Sequence, residues 1–219
     1  MTFDLFADEM PRRWTENLAP GAAILHGYVW EQAQTLITLI DEITHASPFR
    51  HMVTPGGYTM SVAMTNCGPR GWVTDERGYR YVTEDPLTAQ PWPEMPALFF
   101  QLATFAAQAA GFPDFFPDAC LINRYDVGSR LSLHQDKDER DFSQPIVSFS
   151  LGLAATFLFG GIKRNDPVQR LLLGHGDVVV WGGASRLYYH AVQSLKNGPL
   201  PAGMPGAYRF NLTFRKAGY

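Results

Sequence analysis

The sequence predicts a mainly β fold of the α+β class, an antiparallel sandwich or jelly roll with two buttressing helices, and three observations carry that expectation. Beyond Pro117 the chain breaks into short runs of branched and aromatic residues, separated by glycine, proline, asparagine and aspartate. Two earlier segments repeat apolar residues at helical spacing. The 219 residues, 46% hydrophobic and without repeats or low-complexity tracts, suit one domain with an ordinary core.

Taken in chain order, residues 30–43 place Ala33, Leu36, Ile37, Leu39, Ile40 and Ile43 on one helical face. Residues 52–86 are rich in glycine and polar groups and hold Tyr58, Trp72, Tyr79 and Tyr81, which reads as hairpins or mobile loops. Residues 94–110 form the second helical segment. Pro96 is tolerated in its first turn, Gly111 reads as its C-cap, and Pro113 follows. Strands are expected at 119–125, 130–135, 146–151, 156–159, 169–172, 177–181, 186–192 and 207–215.

Charge and cysteine content narrow the functional classes. The net charge of −3 lacks the basic excess common in nucleic-acid binders, so charge alone favours a small-molecule enzyme. A local basic face from Arg70, Arg77, Arg80, Lys137, Lys163 and Arg164 is compatible with it. Cys67 and Cys120 are too few for a disulfide framework, and with no basic and apolar leader at Met1 the expected home is the reducing cytoplasm. The apolar run at 97–110 is too short to cross a bilayer, so no membrane partner is expected.

Two groups of residues carry chemistry. His134 lies in the strand predicted at 130–135 and Asp136 one residue past its end, so strand alternation carried one residue further puts the two on one face; His190, in another predicted strand, is the best third ligand. Two histidines and one carboxylate suit an iron(II) ion with open positions; zinc is chemically possible at such a site too, and these three residues do not settle the metal. A lone His-x-Asp is a weak signal that arises by chance. In the last predicted strand, Phe210, Leu212 and Phe214 form an apolar face, and Arg209, Asn211, Thr213 and Arg215 a polar one. Two guanidiniums in register with an amide and a hydroxyl suit a dicarboxylate, and Asn123 and Tyr125 add an amide and a phenol. One carboxylate would be clamped while the other end chelates iron, as 2-oxoglutarate requires.

These residues, with the stretches 47–50, 52–58, 121–125, 134–139, 163–167, 176–183 and 211–215, resemble the AlkB family of alkylated-DNA repair dioxygenases over nearly the whole chain. The resemblance implies a single domain over 1–219 and a monomer. Its core, about 117–219, would be a double-stranded β-helix (jelly roll), under an N-terminal nucleotide-recognition lid at about 46–90. It implies Fe(II), 2-oxoglutarate as cosubstrate, and O2, with His134, Asp136 and His190 on the metal. Asn123, Tyr125, Arg209, Asn211 and Arg215 would hold 2-oxoglutarate, with Arg124, Phe210, Leu212, Thr213 and Phe214 in the same segments. Trp72 would stack on a flipped base opposite His134. Tyr79, Arg80 and Tyr81 would meet the substrate backbone, Asp138 the base edge, and Arg164 the substrate.

The implied reaction is oxidative dealkylation of 1-methyladenine or 3-methylcytosine, releasing formaldehyde, succinate and CO2. The substrate would be DNA, preferentially single-stranded, with duplex DNA and RNA as further substrates. Residues 70–76 match loosely, 198–205 are irregular, and the first 30 match only in part, which bears on substrate preference. The alternatives are the same oxygenase chemistry on RNA, protein or a small molecule, and a non-catalytic jelly-roll binding protein.

Overall fold

The structure, a computed structural model, describes residues 12–218. A hairpin of β1 (Trp14–Ala19) and β2 (Ala22–His26) leads into α1 (Ala33–Ala46). Next come β3 (Arg50–Val53), β4 (Thr59–Cys67), the hairpin of β5 (Gly71–Asp75) and β6 (Gly78–Val82), and the short pair β7 (Glu84–Asp85) and β8 (Gln90–Pro91). Helix α2 (Ala97–Ala109) precedes β9 (Ala119–Asp126), β10 (Leu131–His134), β11 (Ile146–Gly152) and β12 (Ala155–Phe159). The chain ends with β13 (Gln169–Leu173), β14 (Val178–Trp181), β15 (His190–Val192) and β16 (Tyr208–Arg215).

An eight-stranded antiparallel sheet in the order β1-β2-β14-β11-β16-β9-β4-β3 faces a four-stranded one in the order β10-β15-β12-β13. Strand alternation then sorts the buried apolar residues of its central strands between two cores. On its outer face Phe210, Leu212 and Phe214 pack with Val147, Phe149, Val178 and Val180 against Leu36 and Ile40 of α1 and Phe99 and Ala103 of α2. On its inner face Ile24, Met64, Leu121, Ile146 and Trp181 meet Phe157, Phe159 and Val192 of the small sheet. The result is three layers, helices, large sheet and small sheet, which is the jelly-roll arrangement with buttressing helices that the sequence predicts.

The strand runs after Pro117 appear nearly as expected, and Gly111 adopts the left-handed φ of 93° that closes α2. Four expectations need correction. Helix α1 starts at Ala33 rather than residue 30, because residues 27–32 form successive turns and Val29 N–H bonds Gly176 O at 3.0 Å. Within 186–192 only His190–Val192 is strand, because Gly183–Ser185 forms a 3₁₀ turn that continues through Arg186. The β1–β2 hairpin is an addition. Its turn rests on Gly21, at φ 79°, where a Cβ would lie 2.4 Å from Gly182 O. Finally, β4 is a nine-residue strand of the large sheet, so residues 59–67 are neither loop nor free hairpin. Both outermost pairings, β1 with β2 and β3 with β4, carry a register shift.

Between α1 and β7 a buried polar knot fixes the chain's path. Asp85, fully buried, accepts from Ser47 Oγ at 2.6 Å, Leu87 N–H at 2.8 Å and both terminal nitrogens of Arg50. Burial by itself would raise the Asp85 carboxyl. The donors from Arg50, Ser47 and Leu87 outweigh it and hold the group below its ordinary 3.8. The unfolded chain therefore takes up this proton more readily, so the stabilisation is complete above 3.8 and lost as pH falls through the folded value. Asp85→Ala leaves Arg50 half-buried without its partner and is expected to cost roughly 3 kcal/mol at neutral pH. Urea titrations at several pH values check this, with the gap from wild type closing on acidification.

Candidate functional site

His134 ends β10 and His190 begins β15, where the two residues are register partners. Their rings lie 4.4 Å apart between centroids. Asp136 follows two residues later, beyond the strand end, so the alternation argument brings it to the site although no ladder holds it. His134 Nε2 lies 3.8 Å from Asp136 Oδ1, and His190 Nε2 lies 3.8 Å from Asp136 Oδ2. One ligand atom from each residue falls within 4.8 Å of the others.

Both Nδ1 atoms are engaged by carbonyls, that of His134 by Ser132 O at 2.8 Å and that of His190 by Tyr188 O at 3.0 Å. Each Nδ1 therefore carries the proton, and each Nε2 offers its lone pair to the same point. Burial, with His134 beside it, pushes His190 down to about 4 and keeps the ring neutral at pH 7. Burial would raise Asp136, but Arg215, His190 and His134 hold it well below the usual carboxylate range. Two imidazoles with free Nε2 atoms and one carboxylate on one side of a cavity fit a divalent iron with open positions.

The inner face of β16 supplies the anion pocket. Arg209 is 1% exposed; its Nη2 donates to Ser150 Oγ at 2.9 Å, while Nε and Nη1 have no partner among the described residues. Burial lowers its pKa, opposed in part by the Tyr125 phenol beside it. Its guanidinium lies 5.2 Å from the Tyr125 ring centre. Asn123 Oδ1 is buried and unpartnered as well, and the Asn123 amide nitrogen is 3.4 Å from Asn211 Oδ1. A buried cation with unused N–H groups, in a cavity of about 330 Å³ that also holds the metal triad, calls for an anionic ligand.

Not every predicted residue enters that cavity. Asn123, Tyr125, Arg209, Asn211, Thr213 and Arg215 line it. Arg215 is already committed, donating from Nε and Nη2 to Asp136 Oδ2 at 3.1 and 2.8 Å. Arg124, Phe210, Leu212 and Phe214 face the helices instead, as period-two alternation dictates. Arg124 lies 5.6 Å from the Phe49 ring and 5.4 Å from that of Tyr208 on that side.

Of the predicted substrate residues, Trp72, Tyr79, Asp138 and Arg164 line the cavity. Trp72 stacks on Tyr79 at 5.6 Å, and its Nε1–H donates to Asp138 Oδ2 at 2.7 Å. Arg164 is braced by Leu133 O at 2.8 Å. Arg80 is turned to Asp75, at 2.7 Å from each carboxylate oxygen, and its hydrogen bond is the main cause holding Asp75 down to about 2. Tyr81 is 7% exposed and donates to Glu139, away from the cavity.

Sequence reasoning missed Asn66, whose buried amide grips both Trp72 N–H and Trp72 O at 3.0 Å. It also missed Ser148, which receives Asn211 Nδ2 at 2.6 Å, and the buried Glu139 and Arg186. Glu139 sits within the 134–139 motif, which was its one available signal; Arg186 had none.

The family model for the 2OG-Fe(II) oxygenase superfamily matches residues 21–215. The chain is 61% identical over 215 residues to the alpha-ketoglutarate-dependent dioxygenase AlkB of Escherichia coli K12, covering 98% of each. It is 60% identical over 214 residues to the protein of that name from Salmonella typhimurium, covering 98% of this chain and 97% of the relative. Among solved structures, that titled "The structure of OsALKBH1" superposes with a TM-score of 0.82 at 30% identity, covering 93% of this chain and 100% of the other.

The unpaired guanidinium makes a two-sided prediction. Arg209→Met is expected to weaken 2-oxoglutarate binding about 100-fold, as loss of a buried charged partner does. The same change should stabilise the ligand-free protein by about 1–4 kcal/mol, since a buried cation is removed. Titration calorimetry with Mn(II) present measures the first and thermal melts of the apoprotein the second.

Proposed function

We propose, from the premise that this chain belongs to the 2OG-Fe(II) oxygenase superfamily and to its AlkB branch, that it dealkylates damaged nucleic-acid bases oxidatively. It is an Fe(II)- and 2-oxoglutarate-dependent dioxygenase. The observation that carries the substrate reading is a single cavity holding the metal triad, the unpaired Arg209, and a mouth formed by Trp72 and Asp138.

The oxidising power is supplied when Fe(II), 2-oxoglutarate and O2 are bound, with 2-oxoglutarate ending as succinate and CO2 and the substrate's methyl carbon as formaldehyde. The chain's own residues hold and orient. His134 and His190 offer Nε2 and Asp136 a carboxylate oxygen to one ion. Arg209 receives the distal carboxylate of the dicarboxylate on its unused N–H groups, with the Tyr125 phenol, pushed up to about 12 by burial, remaining a neutral donor. Trp72, its backbone pinned by Asn66, gives a base a flat wall on the side opposite His134.

Asp138 sets the choice of base in this reading. A methyl at N1 of adenine or N3 of cytosine leaves the ring cationic beside an exocyclic amino group. A carboxylate held by the Trp72 indole favours that charge and accepts from that amino group. Both methyl positions lie on the Watson–Crick edge, so the base must leave the stack or be unpaired already, which favours single-stranded DNA. The lid would be the β5–β6 hairpin with residues 54–58, since β3 and β4 of the expected 46–90 segment belong to the large sheet. Two buried free thiols suit a reducing cytoplasm, and among the described residues no helix is long and apolar enough to cross a membrane.

The decisive assay follows formaldehyde from oligonucleotides bearing 1-methyladenine or 3-methylcytosine, with Fe(II), 2-oxoglutarate and ascorbate. Single-stranded DNA, duplex DNA and RNA form its arms. Release is expected to be fastest from single-stranded DNA; none from any arm, with folded and iron-loaded protein, overturns the reading. Asp138→Ala should reduce the preference for these cationic lesions over uncharged N-methyl bases about tenfold, the worth of one charged hydrogen bond, while leaving metal affinity within about twofold.

A further inference from the structure

Asp136 stands in a coil segment just past β10, so no sheet ladder aims its carboxylate. Two buried arginines do so instead. Arg186, 3% exposed, donates from Nη1 to the Asp136 carbonyl at 2.7 Å and from Nε to Gln144 O at 2.9 Å. Arg215 grips the Asp136 carboxylate directly. Both guanidiniums converge on one further group, the carboxylate of Glu139. Arg186 Nη2 reaches Glu139 Oε2 at 2.9 Å, and Arg215 Nε lies 3.5 Å from Oε1. Glu139 is buried, lines no part of the cavity, and has no place in the reaction described above.

A third contact ties this cluster to the hairpin at the cavity mouth. Tyr81 Oη donates to Glu139 Oε1 at 2.5 Å. Tyr81 and Trp72 are cross-strand partners in the β5–β6 hairpin, and Trp72 Nε1–H donates to Asp138. Paired residues on the hairpin thus hydrogen-bond consecutive residues of the loop that carries Asp136.

We infer that Glu139 is a positioning residue that sets Asp136 for the metal through Arg215 and Arg186, and that Tyr81 couples this setting to the docking of the β5–β6 hairpin. The charges explain why. Two buried guanidiniums face two carboxylates, Asp136 and Glu139, and the cluster balances. Without the Glu139 charge, Arg215 bears on Asp136 alone, and a surplus positive charge stands next to the position of a divalent cation. Both effects weaken metal binding. Because linkage is reciprocal, filling the metal site must also tighten the hairpin.

The inference rests on reading His134, Asp136 and His190 as metal ligands, and the test separates the two. The probe is Mn(II) alone, its binding measured by electron paramagnetic resonance on proteins whose thermal melts match. Wild type is expected to bind and His134→Ala to lose that binding; wild type without a His134-dependent site overturns both the ligand reading and the inference. Given that site, Glu139→Gln is expected to bind Mn(II) at least 10-fold more weakly and Glu139→Asp, which keeps the charge, to recover most of the loss. Glu139→Gln binding within twofold of wild type overturns the inference alone. Tyr81→Phe, which removes one hydroxyl, carries the test if Glu139→Gln does not fold. Amide exchange over residues 71–82 should slow when Mn(II) and 2-oxoglutarate are added to wild type. That response should vanish in Tyr81→Phe, and equal slowing in both proteins overturns the coupling.

Discussion

Burying guanidinium groups between two β-sheets is the constraint around which this molecule is arranged. An isolated ion in such a place is prohibitively unfavourable, so each arginine on the inner face of β16 must be answered by an anion. Arg215 is answered from within the chain by Asp136 and Glu139. Arg209 is answered only in part, by the neutral hydroxyls of Ser150 and Tyr125. The fold therefore leaves one buried cation short of a counter-charge, and in the proposed reading the cosubstrate's distal carboxylate supplies it. Stability and ligand recognition are two readings of the same electrostatic balance.

The large sheet makes this arrangement affordable through alternation alone. Every second residue of β16 is apolar and sealed under α1 and α2, where Phe214 and Phe149 pack at 4.7 Å between centroids. The intervening residues are thereby fixed in register on the inner face, spaced along the strand by its pleat. A slip of one residue would exchange the faces and bury phenylalanine in the cavity and arginine under the helices. Register of the sheet and chemistry of the site are set by the same pattern.

Much of this is legible in the residues alone, and what is not has physical causes. The β16 pattern was readable because both faces are uniform. Helix α2 was readable because Gly111 marks its end with a conformation that other residues resist. Strand β4 was obscured because its Thr65 and Asn66 are polar yet buried, satisfied by Ser47 and by the Trp72 backbone, contacts that no local pattern announces. The 186–190 segment misled because its apolar and aromatic residues imitate a strand, while Arg186 is drawn inward to Glu139 from a turn. At Asp136 the expectation of a shared strand face reached the right partner through a strand that stops at His134. Arg124 was carried along by its neighbours in sequence, and only the pleat separates it from them.

The outermost strands of the large sheet have a consequence for solubility. An open sheet offers unpaired backbone groups at both borders, and these invite another chain to add on. Here one border is a six-residue strand whose pairing shifts between Asn17 and Ala19, and the other a four-residue strand whose pairing shifts between His51 and Val53. Such irregular borders match poorly to a straight incoming strand. Among the described residues, both borders of the large sheet are thus poor templates for an added strand.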